Sequence, residues 1–165
     1  MIALKNVLVA VDFGEASETA LAYGRNFARR FDAQLTAMHV LENRFLRPML
    51  NDPRAVENAT WQQLLDRLTI DDREGLNAVA VVRTSDDPAD EILGYAQEHN
   101  VDLIVLGTHG RRGVAHLLAG SVAERVVRTA GCPVLIVKHP EREFVIHDPE
   151  REVSHDRVER YPRRD

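Results

Sequence analysis

The chain switches repeatedly between two kinds of hydrophobic pattern. Five short runs, at 7–11, 35–40, 78–82, 103–106 and Val134–Val137, are almost continuously apolar and rich in β-branched residues. Strands covered on both faces have that composition, because neither face meets water. Between the runs, apolar residues recur at helical spacing: Ala20, Phe27, Ala28 and Phe31 share a face, as do Trp61, Leu64, Leu65 and Leu68. Ala89, Ile92, Leu93 and Ala96 form a third such face, and Leu118, Val122, Val126 and Ala130 recur every fourth residue. Strand and helix in strict alternation predict parallel strands joined by right-handed crossovers. The expected class is therefore α/β, an open five-stranded parallel sheet with helices on both faces.

Local signals agree with this reading. Asp87 before Pro88 supplies an N-cap and a first-turn proline, and Asp90 and Glu91 complement the positive end of the helix dipole. Gly131 follows the last periodic helical residue, where a left-handed terminal residue is expected, and Pro133 opens the last strand. After Lys138 the pattern ends. Of residues 139–165, 14 are charged and six are large and apolar, so this stretch reads as a flexible tail attached to a domain spanning 1–138, with a segment that docks on the core or a partner as the alternative. Phe144, Val145 and Ile146 are its one apolar patch.

Composition narrows the function classes. A chain of 165 residues with 44% apolar and 28% charged residues fits one ordinary globular domain. The net charge of -5 does not favour nucleic acid or an anionic membrane as the main partner. The single cysteine, Cys132, excludes an intramolecular disulfide and a thiolate zinc cluster, and a packed, inert thiol is its expected state. The apolar run near the start is too short for a signal-peptide core, and no stretch approaches the roughly 20 apolar residues that span a bilayer. A reducing, cytoplasmic setting is the expectation.

In an open parallel sheet, ligands bind beyond the carboxyl ends of the strands. The first strand runs into Asp12, Phe13 and Gly14, and the fourth into Gly107, Thr108, His109 and Gly110. Arg111, Arg112 and Gly113 follow, with Gly120 and Ser121 at the start of the last helix. Glycines that admit close backbone approach, next to a helix N-terminus, are the parts of an anion-binding loop. The loop is not a Walker A sequence, and no Gly-x-Gly-x-x-Gly follows the first strand. Taken singly, the same residues have plainer roles: Asp12 or Ser121 as a helix cap, Gly107 and Gly110 as turn glycines. Arg111 and Arg112 suit phosphate but also suit solvent. His109 and His116 are in principle bases, yet no Ser-His-Asp order, metal-ligand pair or glutamate dyad accompanies them.

Together, Gly107, two residues, Gly110, nine residues, Gly120 and Ser121 resemble the nucleotide-binding motif of the universal stress proteins, in their ATP-binding branch. The resemblance runs over about 3–138, from Val-Leu-Val-Ala-Val-Asp at 7–12 through the segment at 102–110 to Cys-Pro-Val-Leu-Ile-Val-Lys at 132–138. It implies a Rossmann-like sheet in order 3-2-1-4-5, with ATP across strands one and four; magnesium is expected with ATP because it neutralises the phosphates and takes few protein ligands. Asp12 would lie near ribose and phosphates, and Val40 would meet adenine through its backbone. Gly107, Gly110, Gly120 and Ser121 would hold ribose and the phosphate chain. Ala10, Val11, Phe13 and Val122, with Arg111 and Arg112, are secondary candidates. Many relatives carry serine where this chain has Gly14, and Ser17 either replaces that hydroxyl or, equally well placed, belongs to the first turn of the first helix. The resemblance implies a homodimer built by antiparallel pairing of Val134–Val137. The implied function is that of an ATP-binding stress regulator with little or no catalysis. A slow ATP hydrolase and a nucleotide-independent interaction module are the alternatives.

Overall fold

The computed structural model describes residues 2–43, 53–108 and 120–138. The apolar runs form strands β1 (Asn6–Ala10), β2 (Gln34–Leu41), β3 (Val79–Thr84), β4 (Leu103–Gly107) and β5 (Val134–Val137). Helices α1 (Glu15–Phe31), α2 (Pro53–Leu65), α3 (Ile70–Gly75), α4 (Pro88–Glu98) and α5 (Ser121–Thr129) lie among them. All four strand pairings are parallel, and the sheet order is β3-β2-β1-β4-β5, as the resemblance implies. The chain steps outward from β1 to β2 and β3, then returns to build β4 and β5 on the other side. The order thus reverses between β1 and β4.

The pleat divides the core in two. Val7, Val9, Leu35 and Val105 pack with Ala20, Leu21 and Ala28 of α1 and Leu64 of α2. Leu8, Met38, Ile104 and Leu106 pack with Ile92 and Ala96 of α4 and Ala123 and Val126 of α5. Successive strand residues are therefore apolar because each face has its own helical layer. Fully burying one such side chain contributes about 1.5–3 kcal/mol. Helix α1 sits tightly on β1: a Cβ at Gly24 would lie 2.3 Å from Val9 Cγ2.

Asp87 caps α4 as expected, its Oδ1 accepting from the Asp90 N–H at 3.1 Å, with Pro88 in the first turn. Arg125 of α5 donates to both Asp87 and Asp90, tying α5 to the start of α4. The Gly131 expectation is corrected. Helix α5 ends at Ala130 in extended conformation (φ -59°, ψ 136°), and no described glycine has positive φ. The chain already turns out of the helix at Ala130, so no left-handed turn is left for Gly131 to make. Left-handed residues follow other helices instead: Asp32 after α1, with φ 54° and its N–H on the Ala28 carbonyl, Asn77 after α3 and Asn100 after α4. Leu68 is buried as its spacing suggests, but beyond the end of α2, in a turn where its N–H bonds the Leu65 carbonyl.

Helix α3 was not anticipated. Thr69 and Asp72 form a reciprocal capping box at its start. Asp72 is fully buried and receives Arg25 Nε at 2.6 Å and Arg29 at 3.3 Å, which locks α3 to α1. Burial alone would raise the Asp72 carboxyl. The Thr69 N–H, the Arg25 bond and charge, and the Thr69 hydroxyl outweigh it and hold the group below the ordinary carboxylate range. Leu118 and the tail at 139–165 lie outside the described residues.

Candidate functional site at the carboxyl ends of β1, β2 and β4

The register brings the candidates together. Ala10 pairs with Met38 of β2 and with Leu106 of β4, so Asp12, Val40 and Thr108, each two residues on, emerge along one edge of the sheet. The Thr108 N–H bonds the Val137 carbonyl at 2.8 Å, and the Thr108 carbonyl receives the Gly120 N–H at 2.5 Å. That second bond closes the base of the segment 109–119 and starts α5 at the same edge. Asp12, Val40, Gly107, Gly120 and Ser121 are thus gathered at the switch point, with Ala10, Val11, Phe13 and Val122 beside them in the chain. Gly110, Arg111 and Arg112, with His109 and His116, lie outside the described residues.

Asp12 does not cap α1. Gly14 is the N-cap, without a side-chain hydrogen bond, and Asp12 Oδ1 accepts the Gly14 N–H at 2.9 Å. This local turn fixes the carboxylate just beyond the carboxyl end of β1 while leaving Asp12 half-buried. A Cβ at Gly14 would stand 3.2 Å from Asp12 Oδ1, so the missing side chain gives the carboxylate room. Ser17 is engaged within the turn itself. It is 2% exposed, donates to the Gly14 carbonyl at 2.9 Å and accepts the Asp12 N–H at 3.3 Å, which commits it to holding the turn.

Gly107 has a packing role. A Cβ there would lie 2.8 Å from Ala16 Cβ and 2.9 Å from Ala16 C, closer than real contacts allow. The glycine lets the first turn of α1 settle over the end of β4. Ser121 is not the cap of α5 but its first residue, and it is exposed. The cap is Gly120, with no side-chain hydrogen bond, so no cap side chain covers the leading N–H groups of α5, whose first turn carries the acidic Glu124.

Val40 is held by β2 with its peptide groups turned toward β1. Along a strand these groups alternate sides: the Met38 carbonyl accepts from Val11 N at 2.8 Å, whereas the Leu41 carbonyl accepts from Ser85 N, beyond β3, at 3.1 Å. Val40 therefore faces the side where the paired part of β1 has already ended, at Ala10. Next to it stands a residue that the sequence did not single out, His39. Its Nδ1 lies 2.7 Å from the Val11 carbonyl, and its ring lies 4.6 Å from that of Phe13. Phe13 has φ 64°, a left-handed conformation costly for a bulky residue, and the Arg67 guanidinium lies 5.6 Å from its ring centre. A histidine inside an apolar strand was the available signal.

Cys132 behaves as an inert thiol: burial, then the Asp102 carboxylate, pushes its pKa up. Two surface depressions lie elsewhere. One is lined by Arg29, Asp32, Asp71 and Glu74, the other by Glu57, Trp61, Arg83 and Glu91. Among the described residues, no helix is long and apolar enough to cross a membrane.

Known proteins share this arrangement. A universal stress protein of Methanocaldococcus jannaschii is 32% identical over 150 residues, covering 84% of this chain and 85% of that protein. The structure of the universal stress protein UspA from Lactobacillus plantarum superposes with a TM-score of 0.71 at 28% identity, over 83% of this chain and 99% of that one. A universal stress protein solved in complex with cAMP superposes with a TM-score of 0.61 at 26% identity, over 83% and 98%. Residues 3–138, from before β1 to the end of β5, match the profile of the universal stress protein family, and the chain belongs to that family.

Proposed function

We propose that this chain is an adenine-nucleotide-binding regulator, with ATP as the ligand, that works as a homodimer and carries out little or no catalysis. The observation that carries the reading is the pairing of opposite chemistries at the switch point. On the β1 side stands a carboxylate, Asp12, fixed by the Gly14 N–H. On the β4 side stands an α5 N-terminus whose cap, Gly120, brings no side chain. A carboxylate accepts from ribose hydroxyls and repels phosphate, while helix N–H groups favour phosphate. A nucleotide lying from Asp12 toward Gly120 and Ser121 satisfies both, with Val40 at its base. Gly107, Gly110, Arg111 and Arg112 complete the phosphate end of this reading. The relative solved with cAMP supports an adenine nucleotide as the ligand class.

Magnesium fits as a companion of the phosphates, where it keeps most of its water ligands. As a regulator the protein acts through differential affinity: bound nucleotide shifts the population of surfaces offered to a partner only as far as it binds one state better. The test is isothermal titration of nucleotide-stripped full-length protein with magnesium-ATP and, in parallel, cAMP, followed by nucleotide analysis after overnight incubation. Saturable binding near one ATP per chain, recovered intact, is the expected result. Steady conversion to ADP would make the protein a slow hydrolase. Failure to bind either nucleotide would leave a nucleotide-independent interaction module.

A further inference from the structure

The β1–β2 ladder stops one rung short of where its geometry allows. Val11 N donates to the Met38 carbonyl, which aligns Val11 with His39 and makes a Val40 N–H to Val11 carbonyl bond the next rung of a parallel ladder. Among the described residues that rung is not formed: the register ends at Ala10 with Met38. The Val11 carbonyl instead meets His39 Nδ1 at 2.7 Å. A carbonyl only accepts, so Nδ1 carries the proton and donates. Val11 is 3% exposed, and a buried carbonyl must find a donor. The His39 side chain supplies that donor at the carbonyl where a continued ladder would have used the Val40 peptide.

The same imidazole supports the turn that carries β1 away. Its ring packs on Phe13 at 4.6 Å, and Phe13, at φ 64°, is the residue at which the chain leaves the sheet direction. Arg67 lies over Phe13 and reaches Glu18 at 3.1 Å, which anchors the arrangement to α1. We propose that His39 is a positioning residue for the nucleotide site: by occupying the Val11 carbonyl it keeps the Val40 N–H out of the sheet and available to a purine ring nitrogen. The inference rests on the nucleotide reading above for its ligand, but not for the missing rung.

Two variants separate the parts of the imidazole. His39→Phe keeps a ring against Phe13 and removes the donor, whereas His39→Asn keeps a side-chain N–H near the Nδ1 position and removes the ring. Amide hydrogen exchange at Val40 is read by NMR on full-length, nucleotide-free protein, alongside ATP titration and thermal melting of each variant. The expected result is fast Val40 exchange in wild type and His39→Asn, and slow exchange in His39→Phe as the rung forms. ATP affinity falls about tenfold in His39→Phe, the scale of one hydrogen bond, and stays within about threefold in His39→Asn. Equal Val40 exchange in wild type and His39→Phe, or unchanged ATP affinity in His39→Phe, overturns the assignment. If wild-type protein binds no adenine nucleotide, the nucleotide reading falls and the role given to His39 in binding falls with it. The exchange contrast still decides whether His39 holds the rung open.

Discussion

At the scale of single residues, close approach accounts for the glycines better than chemistry does. Gly107 heads the nucleotide motif, yet its missing side chain is what lets Ala16 pack against the end of β4. Gly107→Ala forces a contact below 3 Å against a helix backbone, and overpacking of that kind costs about 1–3 kcal/mol. The expected outcome is a lower melting temperature together with weaker ATP binding, since the start of α1 must move beside Asp12 at the carboxyl ends of β1 and β4. Gly24→Ala is the control: it crowds Val9 about two turns further along the same face of the helix, and it should lower melting while leaving affinity within about twofold. If Gly107→Ala melted like wild type, Ala16 would not be the reason for that glycine. Asp12 teaches the converse. Sequence alone left it balanced between helix cap and ligand group, and the cap role passes to Gly14, which leaves the carboxylate fixed but only half-buried.

At the scale of elements, the short helix α3 is held by one buried carboxylate, and this gives a pH prediction. Asp72 sits below its ordinary value in the folded protein, so it contributes stability at pH values above the unfolded carboxylate pKa of about 3.9. That contribution disappears as pH falls through the folded value. Asp72→Asn should cost about 2–3 kcal/mol near pH 7, because Arg25 keeps a charge without its partner, with some relief from solvent at Arg29. The gap between wild type and variant should close on acidification below about pH 4, as read by urea unfolding across that range. A gap independent of pH would mean that the carboxylate holds α3 by shape and not by charge. The Asp87 carboxyl is also lowered, by the Asp90 N–H first and by Arg125 second, and another long-range tie joins Arg125 to Asp87 and Asp90. It is exposed, and Arg125→Ala should change melting little. These elements mark what the sequence revealed. Every strand was legible, because five two-sided strands leave five continuous apolar runs. Helix α3 was not, because six residues are too few for a periodic face and its signal was the Thr69 and Asp72 pair alone. The end of α5 misled because a glycine after a helix permits a left-handed turn without requiring one. The edge holding Asp12, Val40 and Gly107 could be foreseen from topology, whereas the His39 contact depends on where β1 stops.

At the scale of the whole molecule, the sheet has two edges that differ in cover. Along β3, Trp61 of α2 donates its indole N–H to the Ala80 carbonyl at 3.1 Å, and Glu57 of α2 accepts the Thr84 hydroxyl at 2.8 Å. Helix α2 thereby occupies hydrogen-bonding positions that another strand would need. Along β5, Val134, Leu135 and Ile136 are partly exposed, and no described element lies outside them. An apolar edge strand of this kind is a template for pairing, which supports the proposed two-fold dimer through β5. Deleting residues 139–165, which leave β5 directly, should weaken that dimer if the tail lies over the seam. Strand alternation supplies a sharper test. The Pro133 and Val137 carbonyls accept from Ile104 and Thr108, so the peptides of Val134 and Ile136 turn outward, away from β4. Ile136→Pro removes an outward N–H and leaves the β4 ladder intact, the one arrangement in which a strand tolerates proline. Sedimentation at micromolar concentration should show a wild-type dimer and an Ile136→Pro monomer that still melts cooperatively. A monomeric wild type would remove the dimer. A dimer that survives Ile136→Pro would move the seam away from β5, and the covered edge at β3 would then be the next place to look.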